Sequence, residues 1–264
     1  MRVDSRFGVR LGMYLAAAAI TVAAVPCRAQ SLDWQGFYAG LTAGAAIGTG
    51  RMDHNPTGSF NGPVAGDIAD GNAFRGTTNL DTADPTGGLQ AGYLVGHGRF
   101  RFGLEAEAGY LGLRESKSTT KFVPAQGSTF RLDQKIETDF FASLRPRVGY
   151  VPEALSGNLM LFATGGVTLT HARVVQKFTQ TNINPNYVAD GLSEDKMLVG
   201  WTAGGGVEYA LSKAWSLKGE YLYAHLGTVG RSVPGTPSNF AAFTTDNQAD
   251  LTSHILRAGV AFHF

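Results

Sequence analysis

The chain has 264 residues, of which 44% are hydrophobic and only 16% charged, with 35 glycines and a single cysteine. A typical soluble domain carries about 25% charge and about 7% glycine, so this composition favours close backbone packing over a charged, hydrated surface. A formal charge of +1 excludes an electrostatic case for nucleic acid, and one cysteine excludes a disulfide framework.

At the N-terminus, Arg2, Arg6 and Arg10 lead into Leu11–Val25, an uncharged run of 15 residues ended by Pro26. "CRAQ" follows, with the small residues Cys27 and Ala29 at the two positions a signal peptidase reads. Residues 1–29 are therefore expected to be a secretory signal cleaved after Ala29, leaving 30–264 as the mature protein. The rival is a membrane anchor, for which the run falls short of the about 20 residues a spanning helix needs. Pro26 argues against a lipoprotein reading of Cys27. Cleavage removes four basic residues and one acidic one, leaving 18 basic against 20 acidic residues and no cysteine. A mature chain of that composition has no thiol catalysis and no cysteine-ligated metal.

Past the signal, no apolar stretch is long enough for a spanning helix. What recurs is alternation with period two. In "FRFGLEAEAGYLG", Phe100, Phe102, Leu104, Ala106, Ala108 and Tyr110 share one face of a strand, while Arg101, Glu105 and Glu107 share the other. The same pattern predicts eight strands, roughly Trp34–Gly48, Thr86–Gly96, Phe100–Gly112, Lys135–Val151, Asn158–His171, Lys196–Ala210, Ala214–Leu226 and Leu251–Phe264. Each is long enough to cross a membrane as a tilted strand, which takes about 9–11 residues. Connections around His97–Arg99, Pro152–Gly157 and Leu211–Lys213 are short, and those at about 49–85, 113–134, 172–195 and 227–250 are long. Strict alternation of short and long connections is the sidedness of an outer-membrane barrel. The expected fold is all-β: an eight-stranded, antiparallel, up-and-down transmembrane β-barrel with short periplasmic turns, long extracellular loops and both mature termini periplasmic.

Two aromatic bands are expected at the membrane interfaces. Trp34, Phe37, Phe100, Phe102, Tyr150, Tyr209, Trp215, Phe262 and Phe264 fall near the short turns; Tyr110, Phe140, Trp201, Tyr221 and Tyr223 fall toward the long loops. The opposite parity collects Arg101, Glu105, Glu107, Asp139, Arg145, Arg147, Glu208, Lys218, Glu220 and Arg257, five acids and five bases. Eight strands enclose a lumen just wide enough for side chains to fill, where each ionised group needs a partner. Interlocked ion pairs that plug the lumen are the expectation, with His263 at its periplasmic mouth. Gly36, Gly40, Gly44 and Gly48 share the lumen parity and are expected to make room for long side chains opposite.

Catalysis finds little support. Glu105 and Glu107 share a face, as a carboxylate pair for acid–base work would, but Arg101, Arg145 and Arg147 are at hand to clamp them. Ser253 and His254 are adjacent and so point to opposite faces of a strand. "DIADGN" in the acidic first loop lacks the acid spacing of a calcium site, and no dinucleotide, P-loop or zincin motif occurs. No catalytic residue, metal or cofactor is expected.

"DWQGFYAGLTAGAAIG", "LRPRVGYVPE…LMLFATGGV", "GWTAGGGVEYALSKAWSLKGEYLYAHLG" and the closing "HILRAGVAFHF" resemble the small outer-membrane barrels of the opacity-like porin family, close in architecture to the OmpA-type transmembrane domain. The resemblance touches six of the eight strands. It implies an outer-membrane barrel whose terminal aromatic strand is read by the barrel-assembly machinery, a setting in outer-membrane lipids and lipopolysaccharide, and surface or host ligands met through the long loops. It carries over no catalytic residue. The expected function is a structural or surface-interaction role with at most weak passive diffusion; the alternatives are a genuine small porin or a lipid-modifying barrel enzyme.

Overall fold

The computed structural model describes residues 32–57, 76–123, 128–153, 157–180, 188–234 and 244–264; the expected signal segment lies outside them. The described chain is almost wholly strand: β1 Gly36–Thr57, β2 Gly76–His97, β3 Phe100–Leu111, β4 Arg114–Val123, β5 Ser128–Tyr150, β6 Leu159–Gln180, β7 Val188–Ala210, β8 Trp215–Pro234 and β9 Thr244–His263. Neighbours in the sheet are antiparallel, in the order β3-β2-β1-β9-β8-β7-β6-β5, and β3 also pairs with β5. That last pairing closes the ring. β3 and β4 are two parts of one wall strand, broken at Gly112–Leu113, so the barrel has eight strands as the alternation predicts.

The three short connections fall where expected, but the long loops do not. Most strands run 20–23 residues, about twice what a tilted strand needs to cross a bilayer. At about 3.3 Å per residue the wall rises far past any hydrocarbon layer. Segments read as loop, such as 172–180 and 244–250, continue the ladder. Above the belt the outward face turns polar while the inward face carries aliphatic side chains, so the alternation that marks the spanning part reverses its sense while the backbone hydrogen bonds persist.

The outward face is apolar over a limited height. On β6, Leu161, Val167 and Leu169 are exposed, and then His171 and Arg173 follow on the same face. On β1, Phe37, Leu41 and Ile47 are exposed before Arg51. Aromatics border this belt. Phe37 packs on Tyr93 with centroids 4.6 Å apart, Trp215 on Phe262 at 5.1 Å and Phe262 on Phe264 at 5.0 Å at the short-turn end. Trp201 packs on Tyr223 at 5.4 Å at the other end. The final residue is tied in, with the Phe264 amide donating to the Phe37 carbonyl at 3.0 Å. Trp34 is a correction: only 1% exposed, it is turned inward across the bottom of the barrel, where Nε1 donates to the Gly157 carbonyl at 2.8 Å. It lies just before β1, where strand parity does not yet apply.

Inside, the barrel has two zones. The short-turn half is polar and ionic. The half away from the short turns is lined by aliphatic side chains including Met52, Leu80, Leu113, Ile136, Leu198, Leu222, Leu226 and Leu251, a zone missed because over much of it the alternation is inverted, with charged neighbours such as Arg51, Asp81 and Lys135 on the outward parity. Two glycines serve this packing directly. A Cβ on Gly92 would overlap the Tyr38 ring, and one on Gly48 would stand 2.8 Å from a methyl of Leu113.

Candidate functional site in the barrel lumen

Four strands aim charge at one level of the lumen: Glu105 and Glu107 from β3, Arg145 and Arg147 from β5, Lys218 and Glu220 from β8, and Arg257 from β9, with Glu208 of β7 just below. Register brings opposite charges together, since Glu105 pairs across the ladder with Arg145, Glu208 with Lys218 and Glu220 with Arg257. All eight are buried, Arg145 and Glu105 at 0% exposure.

The contacts interlock across the barrel rather than only along its wall. Arg145 Nη2 bonds Glu105 and lies 2.9 Å from Glu107 Oε2. Arg147 Nη1 donates to Glu105 Oε2 at 3.3 Å, and its Nη2 bonds Glu208. Lys218 Nζ reaches Glu105 at 3.2 Å and also bonds Gln90. Arg257 Nε donates to Glu220 at 2.8 Å, while its Nη groups hold Glu107. Tyr38 donates its hydroxyl to Glu105 Oε2 at 2.7 Å, and the Arg147 guanidinium lies 3.9 Å over the Phe162 ring. Four acids face four bases, so the cluster is neutral as a whole. Each carboxylate has at least one cationic donor, which is what lets charges survive outside water.

Two predicted members lie elsewhere. Asp139 is outside the barrel: a β-bulge between Thr138 and Phe141 puts Asp139 and Phe140 opposite the single residue His171, reversing the parity that holds for Arg145 and Arg147. There Asp139 accepts from His171 Nδ1 at 2.7 Å, and Asp195 holds Nε2 at 2.6 Å. Arg101 stays at the lower rim, donating to the Gly98 and Phe100 carbonyls at 2.9 Å each. The exposed aromatics Phe37, Phe100, Phe102, Tyr110, Phe140, Trp201, Tyr209, Trp215, Tyr221 and Phe264 face outward, with Tyr150, Tyr223 and Phe262 half-buried among them.

Sequence reasoning missed Tyr38, Gln90 and Ser216 as partners. Tyr38 carried a signal, since it shares the lumen parity of β1 with Gly40 and Gly44. It also missed that Ser216, His263 and Glu208 meet near the lower mouth. Ser216 Oγ lies 3.0 Å from His263 Nε2 and donates to Glu208 at 2.5 Å; Glu208 lies 3.2 Å from the same Nε2. A hydrolytic triad needs the carboxylate on the other imidazole nitrogen and a serine free to lose its proton to histidine. This arrangement satisfies buried polar groups instead, and Trp34 covers it edge-on with its ring 5.7 Å from His263.

A closed eight-stranded barrel with an apolar belt, aromatic borders and a neutral, interlocked lumen defines an outer-membrane β-barrel protein. The chain belongs to the outer membrane protein beta-barrel domain family, whose model matches residues 15–264. It is 30% identical over 236 residues to the 31 kDa outer-membrane immunogenic protein of Brucella melitensis, covering 89% of this chain and 85% of that one. It is 27% identical over 178 residues to the 25 kDa outer-membrane immunogenic protein of Brucella abortus, covering 67% and 64%. Among solved structures, OprG of Pseudomonas aeruginosa aligns with 87% of this chain and 97% of its own at 15% identity and a TM-score of 0.44.

Proposed function

We propose that this protein is a non-catalytic component of the outer membrane that presents a tall wall at the cell surface and conducts little or nothing. The observation that carries the reading is the eight-membered ion network filling the lumen cross-section above a mouth covered by Trp34. To pass it, a solute must part several buried charge pairs, and removing one partner from such a pair costs about 3–5 kcal/mol. The projecting strands give the protein its surface. Outer-membrane lipids and lipopolysaccharide bathe the belt and the wall just above it, the barrel-assembly machinery reads the aromatic β9, and soluble or host ligands meet the outer end. The immunogenic relatives support a surface-exposed role. Residues 1–29 act as the export signal, and both mature termini stay in the periplasm.

Two assays test this. In liposomes loaded with a large polymer, the protein should give no swelling in arabinose beyond empty vesicles; swelling at a porin-like rate would favour the diffusion channel. On intact cells, a membrane-impermeant maleimide should label Ser118→Cys, on the projecting β4, and spare Ser212→Cys, in the β7–β8 turn. The reverse pattern would contradict the orientation.

A further inference from the structure

The hydrogen-bonded ring does not extend to the outer end. β2 pairs with β3 only from Thr86 and Leu111 downward, and β7 pairs with β8 only up to Trp201 and His225. Above those levels the ladders among the described residues join β2, β1, β9 and β8 into one four-stranded sheet and β4, β5, β6 and β7 into another. Their inner faces pack on each other, with Met52, Leu80 and Leu251 of the first and Ile136, Val174 and Leu198 of the second in one aliphatic cluster. The projecting half is therefore a pair of facing sheets whose edges are β2, β8, β4 and β7. At the foot of the gap between β2 and β4, Thr82 Oγ1 donates to the Arg114 carbonyl and the Arg114 amide to Asp84 Oδ2, both at 3.1 Å. Above Thr82 no hydrogen bond joins the two strands among the described residues.

An open edge is a template for another extended chain unless something interrupts it. Three of these edges are interrupted. β2 has Pro85, which lacks an N–H. β8 bulges between His225 and Gly227, the latter at a φ of +119°, and β7 bulges between Asp190 and Ser193. β4 has no such device. Its ten residues contain neither glycine nor proline, and they pair with β5 in unbroken register from Arg114–Glu137 to Val123–Ser128. Charge marks it out as well. β4 carries Arg114, Lys117 and Lys121 against the single acid Glu115. On β5, Arg131 is held by Asp133 at 2.8 Å and Lys135 by Glu137 at 2.9 Å, whereas Arg114 and Lys117 have no carboxylate partner among the described residues.

We propose that the free edge of β4 binds an extended, acidic peptide segment of another protein by strand addition. Alternate N–H and C=O groups along that edge supply the main-chain bonds, and side chains of the added strand fall beside those of β4. Carboxylates then lie next to Lys117 and Lys121, and an apolar residue next to Phe122, which is 60% exposed. A second copy of this chain fits less well, because its β4 brings the same excess of positive charge. The inference rests on the outward orientation proposed above, but strand addition in detergent does not depend on orientation, so peptide binding and the labelling of Ser118→Cys fail separately.

The test uses the full chain in detergent and a fluorescent synthetic peptide as long as β4, alternating glutamate with threonine and valine. Anisotropy should show saturable binding. N-methylating the backbone amides of the peptide keeps every charge and should abolish the binding. Lys117→Glu combined with Lys121→Glu should weaken it several-fold and favour the lysine version of the peptide instead, with heat-dependent gel mobility verifying the fold. Hydrogen exchange should slow in β4 on adding the peptide and stay unchanged in β7 and β8. Equal binding of the N-methylated peptide would overturn strand addition in favour of plain charge attraction. Protection at β7 or β8 would overturn the choice of edge, and a dimer with β4 protected in the absence of peptide would assign the edge to a second copy.

Discussion

At the scale of single residues, the energetics turn on burial. Arg147 touches Glu105, Glu208, Tyr38 and the Phe162 face at once. Replacing it by methionine keeps much of the volume and strands the Glu208 carboxylate, while Glu105 keeps Arg145 and Lys218. Arg147→Met should therefore destabilise the barrel by about 3–5 kcal/mol, read as a lower urea midpoint for loss of the compact gel band. Adding Glu208→Gln should restore part of the loss, because one uncompensated charge is gone. His171 belongs to the opposite regime. Exposed above the belt, it is held between Asp139 and Asp195, whose hydrogen bonds raise its pKa above the ordinary 6.5. The protonated ring stitches β5, β6 and β7 together, so the contribution is complete below that ordinary value and fades as pH rises through the raised one. An NMR titration of the His171 ring should show the higher midpoint, and Asp139→Asn should lower it. Strand parity alone identified eight of the ten predicted charge positions. It failed at Asp139 because a bulge leaves no trace in an alternating pattern, and at Arg101 because a rim residue finds carbonyls closer than acids.

At the scale of elements, the spanning parts of the strands were readable from alternation and the projecting parts were not. "FRFGLEAEAGYLG" has its apolar face outward, whereas "THARVVQKFTQ" puts His171, Arg173 and Lys177 on the outward parity and Ala172 and Val174 on the inward one, the reverse of the spanning sense, so a search for lipid-facing strands passes it over. The pairing with β7, from His171–Met197 up to Thr179–Val188, is what keeps it extended. The break at Gly112–Leu113 was legible only as a glycine at the end of a predicted strand. Its companion is Pro85, whose missing donor makes sense only once β3 is known to lie alongside. Asp84 then ties β2 to β4, its carboxylate accepting from the Thr82 hydroxyl at 2.5 Å and from the Arg114 amide at 3.1 Å. Asp84→Ala should leave the lower barrel intact and accelerate amide exchange at Arg114 by at least several-fold, while amides of β9 stay protected. Equal acceleration in both places would mean global loosening instead.

At the scale of the whole molecule, one surface logic is turned inside out relative to a soluble barrel. Apolar side chains face outward over a belt about the height of a membrane, and charge faces inward where nothing but charge can satisfy it. The outer half of the interior reverses this again, and so the protein is stoppered twice: by ions below and by aliphatic packing above. The balance of four acids and four bases in the lumen was legible as equal counts on one parity; their interlocking across the barrel required the closed ring. Planar-bilayer recording of the purified mature protein tests this directly. Wild-type protein should insert without stable conductance steps, and Arg145→Ala combined with Arg257→Ala, which removes the donors that hold Glu107, should produce them. Regular steps from the wild type, unchanged by those substitutions, would contradict the account.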